Sequence, residues 1–152
     1  MDIYEKMEQL GVRLPPPPAK GGLYAPCKRF GETLYYVSGC GPVVDGPVTG
    51  RLGDELTVEQ GQAYARACML NVLAVLEQAV GDLRRVKSVV KITTFVQSAD
   101  GFHDQPAVAN GGTALLRELW GEAGLPSRSA IGVNALPGGI PVETEALFEV
   151  EA

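Results

Sequence analysis

The chain of 152 residues has a single histidine, and its three cysteines, Cys27, Cys40 and Cys68, never stand in CxxC spacing. One histidine excludes a histidine-rich metal site, and an odd, unspaced cysteine set suggests neither a disulfide framework nor a zinc site. No uninterrupted apolar run approaches the roughly 20 residues of a membrane span. The start, Met1-Asp2-Ile3-Tyr4-Glu5-Lys6, lacks a basic stretch leading into an apolar one, so no secretory signal is read. Reduced-looking cysteine usage agrees, and a cytoplasmic address is expected. Neither GxGxxG nor the P-loop pattern occurs, so nucleotide binding lacks support. Basic residues are outnumbered, 13 against 18, giving a formal charge of −5. That balance argues against a general nucleic-acid binder, although it is compatible with a local basic pocket. No internal repeat is visible.

Hydrophobic residues make up 45% and charged ones 20%, the composition of an ordinary globular domain. Residues 1–21 read as an N-terminal helix, near 2–10, followed by a proline-rich arm. The run Leu14-Pro15-Pro16-Pro17-Pro18-Ala19-Lys20-Gly21-Gly22 is a stiff connector ending in a flexible joint. Residues 22–152 read as one domain. Tyr24 to Phe30 and Thr33 to Ser38 form a hairpin about Gly31-Glu32 by turn chemistry. Thr57-Val58-Glu59-Gln60 is a capping box opening a helix to about Val80. Ala65, Cys68, Met69, Val72, Val75, Leu76 and Ala79 form its buried stripe. Val89 to Val96 is a strand apolar on both faces, and a second helix runs from about Gln105 to Trp120. Gly111-Gly112 weakens its middle by ~1 kcal/mol per glycine relative to alanine. The order ββαβαββ, after the N-terminal helix, gives an α+β fold with helices layered on one sheet face.

Two last strands carry the candidate chemistry. Leu125-Pro126-Ser127-Arg128-Ser129-Ala130-Ile131-Gly132-Val133 opens on an arginine, and Pro141-Val142-Glu143-Thr144-Glu145-Ala146-Leu147-Phe148 has a carboxylate near its start. A guanidinium grips a carboxylate in a two-point fork. A glutamate within reach positions or activates a water. If these strands form a hairpin centred on Gly138-Gly139, Glu143 lies opposite about Asn134. Arg128 is then roughly 20 Å away at ~3.3 Å per residue. Cooperation between them would cross a subunit boundary or need a bent strand. Cys40 follows a strand in a glycine-rich turn, but a nucleophile needs a base. Nothing in the sequence brings it to His103, which reads as a surface residue at a helix start.

From about Gly22 to Glu149 the chain resembles the reactive-intermediate deaminase family, known as RidA or YjgF and also called endoribonuclease L-PSP. The resemblance is carried by Leu23-Tyr24, Val37-Ser38-Gly39, Asn71-Val72, Val89 to Val96, Asn110, Pro126-Ser127-Arg128-Ser129 and Pro141 to Ala146, in that order. It implies a chorismate-mutase-like fold, one mixed β-sheet with two main helices on one face. It also implies a homotrimer with ligand clefts between subunits, and no metal or organic cofactor. The implied activity is hydrolysis of enamine and imine acids such as 2-aminoacrylate to a 2-oxo acid and ammonia. Arg128 would bind the substrate carboxylate, Glu143 would position the water, and Tyr24, Ser38 and Asn110 would line the site. Ala130 stands where the family often has cysteine, and Cys40-Gly41 where glutamine is usual, which fits a divergent subgroup. Two other readings stay open. One is a non-catalytic binder of a 2-oxo acid or similar small carboxylate. The other, RNA cleavage, is disfavoured by the acidic balance and the lack of a histidine pair or metal cluster.

Overall fold

A computed structural model describes all 152 residues. The elements are α1 (Ile3–Leu10), β1 (Cys27–Phe30), β2 (Leu34–Cys40), α2 (Val58–Val80), β3 (Val86–Gln97), α3 (Gln105–Trp120), β4 (Ser127–Val133) and β5 (Val142–Val150). The fold is α+β, with three α-helices and one mixed sheet of five strands in the order β1-β2-β5-β3-β4. β3 and β4 run parallel, joined through α3, and the other neighbours are antiparallel.

Local chemistry sets the helix bounds. The Thr57 hydroxyl accepts from Gln60 N (3.2 Å), and the Gln60 side chain accepts from Thr57 N (2.9 Å), closing the capping box of α2. The helix stops at Gly81, whose φ of 85° favours glycine. The two glycines of α3 have a packing reason that periodicity hides. A Cβ on Gly111 would sit 2.0 Å from the Gln62 carbonyl oxygen, so α2 and α3 touch there backbone to backbone. The helix-propensity cost is exchanged for a close crossing.

The hairpin expected between the last two strands does not form. β4 and β5 flank β3 on opposite sides. Chain leaving β4 passes over the end of β3, where Gln97 holds it: Leu136 N donates to Gln97 Oε1 (2.8 Å) and Gln97 N donates to the Pro141 carbonyl (2.8 Å). β3, apolar and 12 residues long, is better placed inside the sheet than at its edge.

The main core joins Met69, Leu73 and Leu76 of α2, Leu115 and Leu116 of α3, and Ile92 and Phe148 of the sheet. Ile3 and Met7 bring α1 into the same core. Tyr4 fastens that helix by donating to Glu77 (2.8 Å) and accepting from Leu83 N (3.0 Å). Packed α2 and α3 cover one face of the sheet. The other face is uncovered and carries Tyr36, Thr93, Phe95, Ser129, Ile131, Glu143, Glu145 and Leu147 in cross-strand register. No helix is long and apolar enough to cross a membrane.

Candidate functional site

β2 makes one irregular step. Val37 pairs with Ala146 and Cys40 with Thr144, so three residues on β2 span two on β5. This bulge turns the backbone at Ser38-Gly39 toward the neighbouring Glu143. A Cβ on Gly39 would lie 3.0 Å from the Glu143 carboxyl carbon and from Oε1, so the missing side chain is the room the carboxylate occupies. The resulting cleft, about 490 Å³, is lined by Ser38, Gly39, Cys40, Tyr24, Lys20 and Glu143 among others.

The proline-rich arm forms one wall of this cleft. Pro18, Ala19, Lys20 and Gly21 all line it. Gly21 N donates to the Tyr24 hydroxyl, and Lys20 Nζ donates to the Tyr24 carbonyl, both at 3.1 Å. Tyr24 is therefore clasped by the arm. Ser38 Oγ donates to the Ala25 carbonyl (2.7 Å), which spends its proton on the chain and leaves its oxygen as an acceptor. Beneath the cleft, buried Asn71 donates to the carbonyls of Gly41 (2.9 Å) and Val43 (3.0 Å) and fixes the loop that leaves β2.

Burial raises the Glu143 carboxyl above the usual value, and the like charge of Glu145 adds to the shift. Glu145 itself accepts from the Tyr36 hydroxyl on the uncovered sheet face. The Cys40 thiol is pushed up to about 12, first by burial and then by Glu143. A thiol so disfavoured as thiolate is not a nucleophile at neutral pH. His103 is exposed just before α3 and does not line the cleft. No group of three or more His, Cys, Asp or Glu is placed to hold a metal ion.

Arg128 belongs to another place. It pairs with Ile92 in the β3–β4 register and points to the helix side of the sheet. There its Nη1 donates to Asn110 Oδ1 (2.7 Å) and Thr113 Oγ1 (3.1 Å), both on α3. Two bonds on one nitrogen fix the guanidinium plane and leave Nε and Nη2 as a fork for a planar anion. Asn110 thus holds Arg128 with its side-chain oxygen. Thr113 does the same and was missed in the sequence, although its i+3 spacing from Asn110 puts it on the same helix face. The arm residues were also missed, and Gly39 stood out only through the family resemblance, for no local pattern ties them to Glu143.

One chain therefore holds two candidate half-sites. Tyr24, Ser38 and Glu143 gather around the cleft, while Asn110, Thr113 and Arg128 gather on α3 and β4. Glu143 pairs with Phe95, three residues along β3 from Ile92 and on the opposite face.

Residues 5–142 match the family described as "YjgF/chorismate mutase-like, putative endoribonuclease". Protein TCP17 of Trypanosoma cruzi is 44% identical over 151 residues, 97% of this chain and 94% of its own length. A 2-iminobutanoate/2-iminopropanoate deaminase of Dermatophagoides farinae is 28% identical over 92% of this chain and 95% of its own. The crystal structure of a "putative endoribonuclease" from Shewanella oneidensis superposes with a TM-score of 0.94 at 28% identity, covering 99% of this chain and all of that one. With the family match over residues 5–142 and a relative at 44% identity, the chain belongs to the YjgF/chorismate mutase-like family.

Proposed function

We propose that the protein hydrolyses reactive enamine or imine acids to 2-oxo acids and ammonia, at sites shared between subunits of a homotrimer. The observation that carries this reading is the division of the two half-sites between opposite faces of the sheet. Arg128 presents a fixed fork with no base beside it, and Glu143 is a half-buried carboxylate in a cleft. A second copy whose cleft meets the Arg128 edge would unite them. The uncovered sheet face, with Tyr36 and Ile131 exposed, is the surface such an assembly would bury.

In the joined site, Arg128 grips the substrate carboxylate and sets the imine carbon before Glu143. A water between them gives a proton to the Glu143 carboxylate while its oxygen bonds to the imine carbon. The electron pair of the C=N bond moves to nitrogen, which takes the proton back from Glu143. The hydroxyl of this carbinolamine then gives its proton through Glu143 to the amine, and the C–N bond breaks as the carbonyl forms, releasing ammonia and the 2-oxo acid with Glu143 ionised again. Its raised pKa makes Glu143 a stronger base, when ionised, than a solvated carboxylate. The substrate is already hydrolysable, so positioning and one placed base suffice. The relative from Dermatophagoides farinae, a 2-iminobutanoate/2-iminopropanoate deaminase, supports this chemistry.

A non-catalytic 2-oxo acid binder is the second reading. Its support is that the Arg128 grip is complete within one chain, since Asn110 and Thr113 already hold it. Release of ammonia from freshly generated 2-aminoacrylate separates the two. Deamination predicts acceleration above the spontaneous rate, lost in Glu143→Gln with carboxylate binding retained. A wild type that binds 2-oxo acids and accelerates nothing is a binder.

A further inference from the structure

Arg117 stands on the same face of α3 as the residues that hold Arg128. Asn110, Thr113, Ala114 and Arg117 follow one helical stripe and, with Leu125, line a hollow of about 250 Å³. Arg128 reaches the wall of that hollow through Asn110 and Thr113. Long helical side chains lean back over the preceding turn, and for Arg117 that turn is the one that carries Thr113.

Two other arginines are paired with carboxylates. Arg66 pairs with Glu118 at 3.3 Å, and Arg84 with Asp2 and Asp82 at 2.9 and 3.2 Å. Arg117 takes part in none of the four ion pairs, and no carboxylate lines its hollow. Glu118, its chain neighbour, is committed to Arg66. Arg117, by its place in the stripe, and Arg128, by its bonds to Asn110 and Thr113, thus share one face of α3 with neither paired to a carboxylate. A ligand with one carboxylate satisfies Arg128 alone, whereas a dianion satisfies both. Ala114 and Leu125 offer apolar contact to the methylenes of such a ligand.

We infer that this site takes the imine or enamine of a short dicarboxylic amino acid, with Arg128 on the carboxylate beside the imine carbon and Arg117 on the distal one. The inference rests on the deaminase reading and narrows it: water and the imino diacid give a 2-oxo diacid and ammonia. The test generates imino acids in place by enzymatic oxidation of aspartate, glutamate, alanine and 2-aminobutyrate. Ammonia and 2-oxo acid release are followed for the wild type, Arg117→Gln and Arg117→Lys. Wild type should favour diacids over monoacids by about tenfold or more in kcat/KM, mostly through KM. That ratio should fall toward one in Arg117→Gln and recover in part in Arg117→Lys. A wild-type ratio near one, or a ratio that Arg117→Gln leaves unmoved, overturns the inference while hydrolysis of monoacids upholds the deaminase reading. Equilibrium binding of 2-oxo diacids and monoacids is measured beside it. Diacid preference lost in Arg117→Gln, without turnover of any imine, would overturn the deaminase reading and uphold the selectivity of the hollow.

Discussion

Arg128 and Glu143 face opposite sides of one sheet with β3 between them. Two strand spacings and three residues along β3 put their backbones roughly 14 Å apart, and the sheet itself blocks a direct approach. In the proposed reaction the two would meet through a second copy of the chain.

Thr113 is a positioning residue for Arg128. Thr113→Val removes one of the two bonds to Nη1 at nearly constant shape. The expected loss is about 1 kcal/mol of grip, a several-fold rise in KM or Kd for the carboxylate with kcat little changed. Asn110→Ala should cost more, because that bond is the shorter. Steady-state kinetics on both variants checks the order.

Glu143 should destabilise the fold at neutral pH. Its pKa is raised in the native state, so the native protein keeps a proton that the unfolded chain has released. Stability from this group is fully present below the ordinary value of 4.5 and is lost as pH rises through the folded pKa. Glu143→Gln should therefore melt above wild type at pH 7, and the gap should close near pH 4. Thermal melts across that range measure it, and a gap that widens toward acid would contradict the assignment.

Cys40 should be silent. With its thiol near 12 and its side chain buried, it should resist thiol reagents at pH 7.5, and Cys40→Ala should retain turnover. Cys27, also raised by burial but only half-buried, should be the first to react. Mass mapping of the alkylated sites decides.

Asn71 carries the floor of the cleft. Asn71→Leu strands the carbonyls of Gly41 and Val43 and should cost about 2–3 kcal/mol by chemical denaturation.

Elements defined by their own periodicity were legible in the sequence. The stripe and capping box placed α2 at Val58–Val80, and α3 lies at Gln105–Trp120 as expected. The β1–β2 hairpin about Gly31-Glu32 was legible from its turn chemistry, but the partners of β3, β4 and β5 were not, because alternation fixes which face a residue takes and says nothing of which strand lies beside it. Gly138-Gly139 suggested a hairpin, yet the chain there crosses the end of β3. For the site, Arg128 and Glu143 stood out as charges on apolar strands. Thr113 and the arm did not, since their roles arise from contacts between α3 and β4, or between Lys20-Gly21 and Tyr24. Gly111 shows the same limit: a helix weakness in sequence is a contact point in three dimensions.

The arm should matter twice. Removing residues 1–21 strips Ile3 and Met7 from the core, about 3–5 kcal/mol at the usual gain per buried side chain. It also takes away one wall of the Glu143 cleft. The truncated chain should melt lower and show a raised KM.

Mixing two inactive variants tests the shared site most directly. Arg128→Ala and Glu143→Gln should each lose deamination of 2-aminoacrylate when pure. Unfolded and refolded together in equal amounts, about a quarter of the sites would take an intact Arg128 from one copy and an intact Glu143 from its neighbour. Activity near that fraction of wild type is the expected result. Activity that stays at the level of the pure variants, in mixed trimers confirmed by mass, would contradict it.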